Sequence, residues 1–468
     1  MSDQLHLNAF TMNCVGHLNG GLWRHPADQA HRYKDQDYWV ELALIAERGK
    51  LDAIFLADVL GIYDVYEGGP EASIREAMQT PVNDPLHVIP TMAYVTSHLG
   101  FASTYSTTYT HPFMLAQKFS TLDHLTDGRI AWNIVTSYLS HAAKNLGLDD
   151  RIPHEERYKR ADEYLEVLYK LWEGSWEDDA VVRDVERGMF TDPAKVHTID
   201  HKGKYFNVPG PHVCEPSPQR TPVLYQAGQS DRGRAFAAKH AEAVFTIYPT
   251  GDLIREYIDD IHHRAQEYGR NPEHIKIFPG IVPIVGETEA VAQAKYEAYK
   301  EFASPDAAFA HTGGATDIDF SVYDPGQPVK DIGNIETEGV KGIVDILSAS
   351  IPGGARSANG DWTIEDVGKS AALGSFCPVV VGTPATIADW LEHWFKDVGA
   401  DGFNIVELEH SGTVRDFVEM VVPELQRRGL FRKEYRYKTL RSRLLQKESD
   451  RLPADHTART YIRANQPA

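Results

Sequence analysis

The sequence predicts an α/β chain folded as a (β/α)8 TIM barrel with insertions, on three observations. Apolar runs of strand length recur eight times, at residues 5–10, 53–57, 100–105, 130–135, 222–227, 243–247, 275–285 and 402–408. Amphipathic patterns lie between and after them at 38–48, 86–97, 112–125, 155–172, 232–240, 251–268, 287–302 and 414–428, with the three-and-four spacing that gives a helix one apolar face. Eight alternations suit a closed parallel barrel better than an open sheet. The third observation is an absence: a doubly wound sheet, the competing architecture, usually carries a G-x-G-x-x-G turn after its first strand, and none occurs here.

Each segment has its own reason. The stretch 122–138 holds a helix end, an Asp127-Gly128 turn, the buried run 130–135 and a polar tip of Asn133, Thr136, Ser137 and Tyr138. In parallel α/β folds ligands lie beyond the carboxyl ends of the strands, so such a tip marks a candidate site. Residues 1–430 are assigned to the barrel, with turn-rich insertions near 174–221 and 304–375. Long irregular segments of this kind often form lids or binding loops. The tail 431–468 forms a C-terminal arm, whose stretch from Arg432 on has ten Lys or Arg against four Asp or Glu. It is expected either to be solvated or to clasp a neighbouring subunit.

Composition narrows the function. No long apolar run and no basic leader followed by an apolar stretch is visible in the sequence, so no membrane partner and a cytoplasmic location are expected. Cys14, Cys214 and Cys377 are far apart, without metal-type spacing, which argues against a disulfide framework or a zinc site. A net charge of -20 excludes nucleic acid as an expected partner, because phosphate backbones require a basic face.

Candidate chemistry comes from the strand ends. After the first strand, Cys14 and His17 share one loop, which suits nucleophilic work if a third group orients the histidine, although a buried, inert thiol is the more common arrangement. Asp58 ends the second apolar run, where a carboxylate requires a donor from ligand or backbone; a helix cap is the alternative. The hydroxyl run 103–108, with Thr104, can hydrogen-bond a polar heterocycle, and such residues are also ordinary strand formers. Gly228-Gln-Ser230 opens a helix after the fifth strand, so its unpaired N–H groups form a natural phosphate seat, with His154 and Tyr158 reaching from another helix start. A plain N-cap is the competing role for Ser230.

Several of these stretches together resemble the bacterial luciferase-like flavin monooxygenases. They are Asn13-Cys-Val-Gly-His17 with Gly21-Leu-Trp-Arg-His-Pro26, Val82-Asn-Asp-Pro85, Ser120-Thr-Leu-Asp-His-Leu-Thr-Asp-Gly-Arg129, Trp132-Asn-Ile-Val-Thr-Ser137 and Gln226-Ala-Gly228. Within that superfamily the chain is similar to the nitrilotriacetate, pristinamycin and dibenzothiophene-sulfone group, and most of all to its long-chain alkane monooxygenase branch, including Arg451-Leu-Pro-Ala-Asp-His456 in the tail.

The resemblance implies a barrel that receives reduced FMN from a separate flavin reductase and reacts with O2 to form a flavin peroxide, which oxidises a small alkane- or thioether-like substrate. It implies FMN contacts at Asp58, Thr104, His154, Tyr158 and Ser230, with Asn133, Ser137, Gly228 and Gln229 beside them. The reaction side maps onto Cys14, His17, Tyr63, Gln79, Tyr138 and His311. His17 and His311 are then candidates for protonating or steadying the peroxide, and Tyr63 and Tyr138 for positioning substrate, with the second insertion as lid. Tyr138 stands where the alkane branch has histidine, and a phenol does not shuttle protons near neutrality as an imidazole does. The alternatives are a lyase that cleaves a heterocycle such as riboflavin and a flavin-binding protein without turnover. A metallohydrolase ranks below both, because no H-x-H strand-end pair or H-E-x-x-H occurs. A homodimer or homotetramer is expected.

Overall fold

A computed structural model describes residues 4–332, 340 and 362–462. Eight parallel strands close into a barrel: β1 (His6–Met12), β2 (Ala53–Ala57), β3 (Gly100–Ser106), β4 (Ile130–Val135), β5 (Val223–Gln226), β6 (Ala243–Thr246), β7 (Lys276–Val285) and β8 (Gly402–Val406). Each strand pairs with the next, and β8 returns to β1 through His6 opposite Gly402. All eight expected runs are barrel strands, so the (β/α)8 expectation holds.

The alternation of side chains decides what enters the barrel. On β2, Ile54 and Leu56 pack outward under the helices while Ala53 and Phe55 point inward, and on β4 Trp132 and Ile134 face outward while Ala131 faces in. Phe10 and Phe55 meet at 4.8 Å between ring centroids inside the barrel, and burying a side chain of that size contributes roughly 1.5–3 kcal/mol. By the same two-residue period Thr104 on β3 and Asn133 on β4 project into the upper mouth.

The first insertion carries two short antiparallel pairs, Val181–Asp184 with Met189–Thr191 and His201–Lys202 with Asn207–Val208. The second is more ordered than its glycine content predicts. Ser304 caps a helix at Pro305–Thr316, and Gly313 and Gly314 lie inside it. Gly314 is there because a Cβ would run into the Tyr63 ring. Further on, Thr363 caps the helix Ile364–Ala371, and an unforeseen strand, Val379–Gly382, pairs with the outer half of β7. Residues 333–339 and 341–361, including Pro352-Gly-Gly354, and the end of the arm from residue 463 lie outside the described residues.

Over its described residues, 431–462, the arm packs against its own barrel. It folds under the amino-terminal mouth, where the short helix Leu440–Leu444 places Leu440 and Leu444 in the barrel's interior cluster. Arg432 holds both oxygens of buried Asp52, at 2.8 and 3.0 Å. Arg441, fully buried, forks onto Glu242 at 2.6 and 2.8 Å and also donates to the Asp450, Thr221 and Pro222 carbonyls. Burial alone raises a carboxyl pKa, but Arg432, His6 and Arg443 hold that of Asp52 well below the usual range.

Candidate active site

One cavity of about 270 Å3 opens at the carboxyl ends of the strands, the face where barrel ligands bind. Its wall includes His17, Asp58, Tyr63, Gln79, Thr104, Asn133, Ser137, Tyr138, His154, Tyr158, Gly228, Gln229, Ser230 and His311. Cys14 alone among the expected site residues is not part of that wall. Its thiol is fully buried and donates to the Gly16 carbonyl at 3.4 Å, and burial with nearby Asp58 pushes its pKa up. A thiol held protonated in this way is a poor nucleophile.

The polar end is built by two helix starts. Ser230 caps the helix Asp231–His240, its Oγ accepting from the Gly233 amide at 3.0 Å, and it also meets His154 Nε2 at 3.3 Å. The hydroxyl that caps this helix also lines the cavity. His154 opens the helix His154–Gly174, and Tyr158 lies one turn on with its ring 5.1 Å from the imidazole. A Cβ on Gly228 would run into the Gln226 amide and the Gly233 backbone, so glycine keeps this loop tight. Gln229 is turned aside: its Nε2 donates to the Ile247 carbonyl at 2.7 Å and ties the loop to β6.

Between the two ends, Asn133 Nδ2 donates to Thr104 Oγ1 at 2.9 Å. Its Oδ1, and Oε1 of Gln226, are buried with no hydrogen-bond partner among the described residues. Ser137 has φ +54° just past β4, and its Oγ donates to Ser106 Oγ at 2.8 Å. At the end of β2, burial first and the charge of Asp84 second push Asp58 up to about 7, against the Val59 amide.

The far end is aromatic. Phe10, Phe55 and Phe245 form the apolar wall. Tyr63 hydroxyl donates to Gln79 Oε1 at 2.9 Å and meets the Tyr138 hydroxyl at 2.9 Å, while Gln79 Nε2 donates to the His17 carbonyl at 3.1 Å. His311, on the helix Pro305–Thr316, sets its ring edge-on to Tyr63 at 5.2 Å and its Nδ1 3.4 Å from Ser375 Oγ. Burial lowers His311 to about 4. Burial, His311 and His410 together take His17 well below its ordinary value. Both imidazoles are neutral at neutral pH.

The sequence alone assigns no site role to Arg157, Gln226, Ser375 or the strand phenylalanines Phe10, Phe55 and Phe245. Arg157 had a usable signal: it stands between His154 and Tyr158 in the first turn of a helix and is 2% exposed. The phenylalanines had none, because an inward-facing aromatic on a strand reads simply as core.

Residues 21–402 match the family described as luciferase-like monooxygenase. The chain belongs to that family. Among luciferase-like monooxygenases it is 52% identical to the long-chain alkane monooxygenase of Geobacillus thermodenitrificans, over 98% of both chains. A solved structure of long-chain alkane monooxygenase superposes with a TM-score of 0.88, covering 98% of this chain and 100% of that one. The dimethyl-sulfide monooxygenase of Hyphomicrobium sulfonivorans is 46% identical over 98% of this chain and 94% of its own length. Its structure gives a TM-score of 0.91 over 98% and 96% of the two chains. A riboflavin lyase structure, with modified FMN and riboflavin, is 34% identical with a TM-score of 0.88 over 98% and 100%. This luciferase-like monooxygenase is therefore an oxidoreductase.

Proposed function

We propose that this chain is the oxygenase of a two-component system: it takes reduced FMN from a separate flavin reductase, consumes O2 and oxidises a small organic substrate of alkane or thioether type. The observation that carries the reading is one continuous cavity running from a polar cradle at Gly228, Ser230, His154 and Tyr158 to an aromatic pocket lined by Tyr63, Tyr138 and His311. The residues fit FMN. A helix start with a capping hydroxyl suits its phosphate, and the orphaned acceptors Asn133 Oδ1 and Gln226 Oε1 suit the N–H groups of its ring system. When bound, reduced FMN supplies the electrons that activate O2, so that one oxygen atom enters the substrate and the other leaves as water.

The chain's own residues orient and shield. Phe10, Phe55 and Phe245 keep water from the reacting end. His17 and His311, neutral through their lowered pKa, each offer one N–H to steady negative charge developing on oxygen, and neither holds a second proton to give. The similarity to the alkane and dimethyl-sulfide enzymes supports a small substrate. Likeness to riboflavin lyase favours a second reading, cleavage of a heterocycle, in which another tricyclic ring occupies the aromatic pocket. The reading also expects a cytoplasmic homodimer or homotetramer, checked by light scattering on the purified protein.

The test supplies the protein with reduced FMN and oxygen and presents alkanes, thioethers and riboflavin separately, with products followed by mass spectrometry. Oxygen insertion into an alkane or thioether supports the first reading, and loss of riboflavin alone supports the second. If no compound changes and reduced FMN oxidises at its protein-free rate, the enzyme reading fails.

A further inference from the structure

The hydrogen bonds around Tyr63 have a fixed direction. Gln79 has φ +52° on the segment after β2, and its Nε2 donates to the His17 carbonyl at 3.1 Å. A carbonyl only accepts, so the amide must present Oε1 to Tyr63, and the Tyr63 hydroxyl donates to it at 2.9 Å. That uses the one hydroxyl hydrogen of Tyr63. The 2.9 Å contact between Tyr63 and Tyr138 is then donated by Tyr138, whose single hydrogen is used in turn. Tyr138 lines the cavity with lone pairs alone to offer.

The neighbours do not reverse this. Burial pushes Tyr138 up to about 12 and takes Tyr63 well above its ordinary value, so both remain phenols. His311 and His17 can exchange tautomers and meet either polarity, whereas the Tyr138 end is fixed by a backbone carbonyl three bonds along the chain of contacts. Tyr63 cannot swing away, because Gly314 backs its ring and His311 meets it edge-on. Water in the cavity can satisfy the Tyr138 lone pair until substrate displaces it.

We propose that Tyr138 selects substrates bearing an O–H or N–H donor, so that the preferred class is a hydroxyl- or amino-bearing sulfide or short chain rather than a bare alkane. The proposal rests on the flavin monooxygenase reading and names the substrate class within it. A bare chain strips the Tyr138 oxygen of its water and returns nothing; a donor replaces the lost bond. Gln79 is the positioning residue that sets the polarity.

The test is anaerobic titration of protein loaded with reduced FMN, read by the flavin absorbance change. Three ligands of equal heavy-atom count are compared: 2-(methylthio)ethanol, methyl propyl sulfide and methylthioacetonitrile. The alcohol is expected to bind on the order of tenfold tighter than methyl propyl sulfide, and Tyr138→Phe to bring that ratio to about one. Gln79→Met removes the amide oxygen, frees the Tyr63 hydrogen and lets Tyr138 turn its own toward the cavity, so the nitrile should gain on the alcohol. A merely structural role for Gln79 weakens all three ligands alike and overturns the assignment. A wild-type ratio near one with FMN bound, or a preference that survives Tyr138→Phe, refutes the selection by Tyr138 and leaves the flavin reading standing. Failure of FMN to bind removes both.

Discussion

Replacing Asp58 by asparagine should make the ligand-free protein more stable at neutral pH, because the carboxylate is held where its charge is unwelcome. It is half-buried at the cavity wall, faces the charge of Asp84, lies near Cys14 and Tyr105, and gains a single backbone hydrogen bond, from Val59. The result is a native pKa of about 7 against 3.8 for the free acid. The native state thus keeps a proton that the unfolded chain has released. That stabilisation is fully present below about pH 4, declines as pH rises toward 7 and is gone above it. The difference between the two pKa values corresponds to at most about 4 kcal/mol, moderated by water in the open cavity. Unfolding entropy for a chain of this length makes 1 kcal/mol worth about 1 °C, so the ceiling is about 4 °C. The asparagine amide introduced by the substitution imitates the neutral acid at every pH. Thermal scans of Asp58→Asn and wild type from pH 4.5 to 8 should therefore converge at the acid end and separate in favour of the variant as pH rises. A difference that stays flat across this range, or a variant less stable at pH 8, refutes the reasoning.

Three further outcomes are expected. Ser230→Ala removes both the cap on Gly233 and a candidate phosphate contact; it should lower stability by about 1 kcal/mol and weaken FMN binding several-fold in a fluorescence titration. His17→Ala and His311→Ala should each lower the yield of product per flavin oxidised and raise hydrogen peroxide release, and unchanged coupling in both variants removes their assigned role. Arg441→Met leaves Glu242 buried without its partner and should cost roughly 3–5 kcal/mol, seen as a lower unfolding temperature, while Arg441→Met with Glu242→Leu should recover much of the loss.

The strands were legible because each is a short apolar run bounded by turn residues, and barrel interiors accept such runs with little demand on detail. Val379–Gly382 escaped notice because four residues beside a turn-rich insertion leave too little pattern. The helix Pro305–Thr316 looks irregular in the sequence because Gly313 and Gly314 argue against helix locally, while the tertiary need to seat the Tyr63 ring outweighs that preference. At the site, residues on strand ends and helix starts were legible from position alone. The Gln79 relay was not, since its direction depends on a contact with the His17 carbonyl sixty-two residues earlier in the chain. The basic tail misled for a physical reason: lysine and arginine usually mark solvent, and only the placement of Asp52 and Glu242 shows that three of these arginines belong inside.

Because the arm is made after all eight strands, the barrel floor is completed late in synthesis. Until Arg432 and Arg441 emerge, closing the barrel buries Asp52 and Glu242 without their arginine partners, which opposes closure. The expected outcome is that the barrel seals only once the arm has been added. Pulse proteolysis of arrested nascent chains should find the barrel protease-sensitive when the arm is still missing and resistant once it has been added.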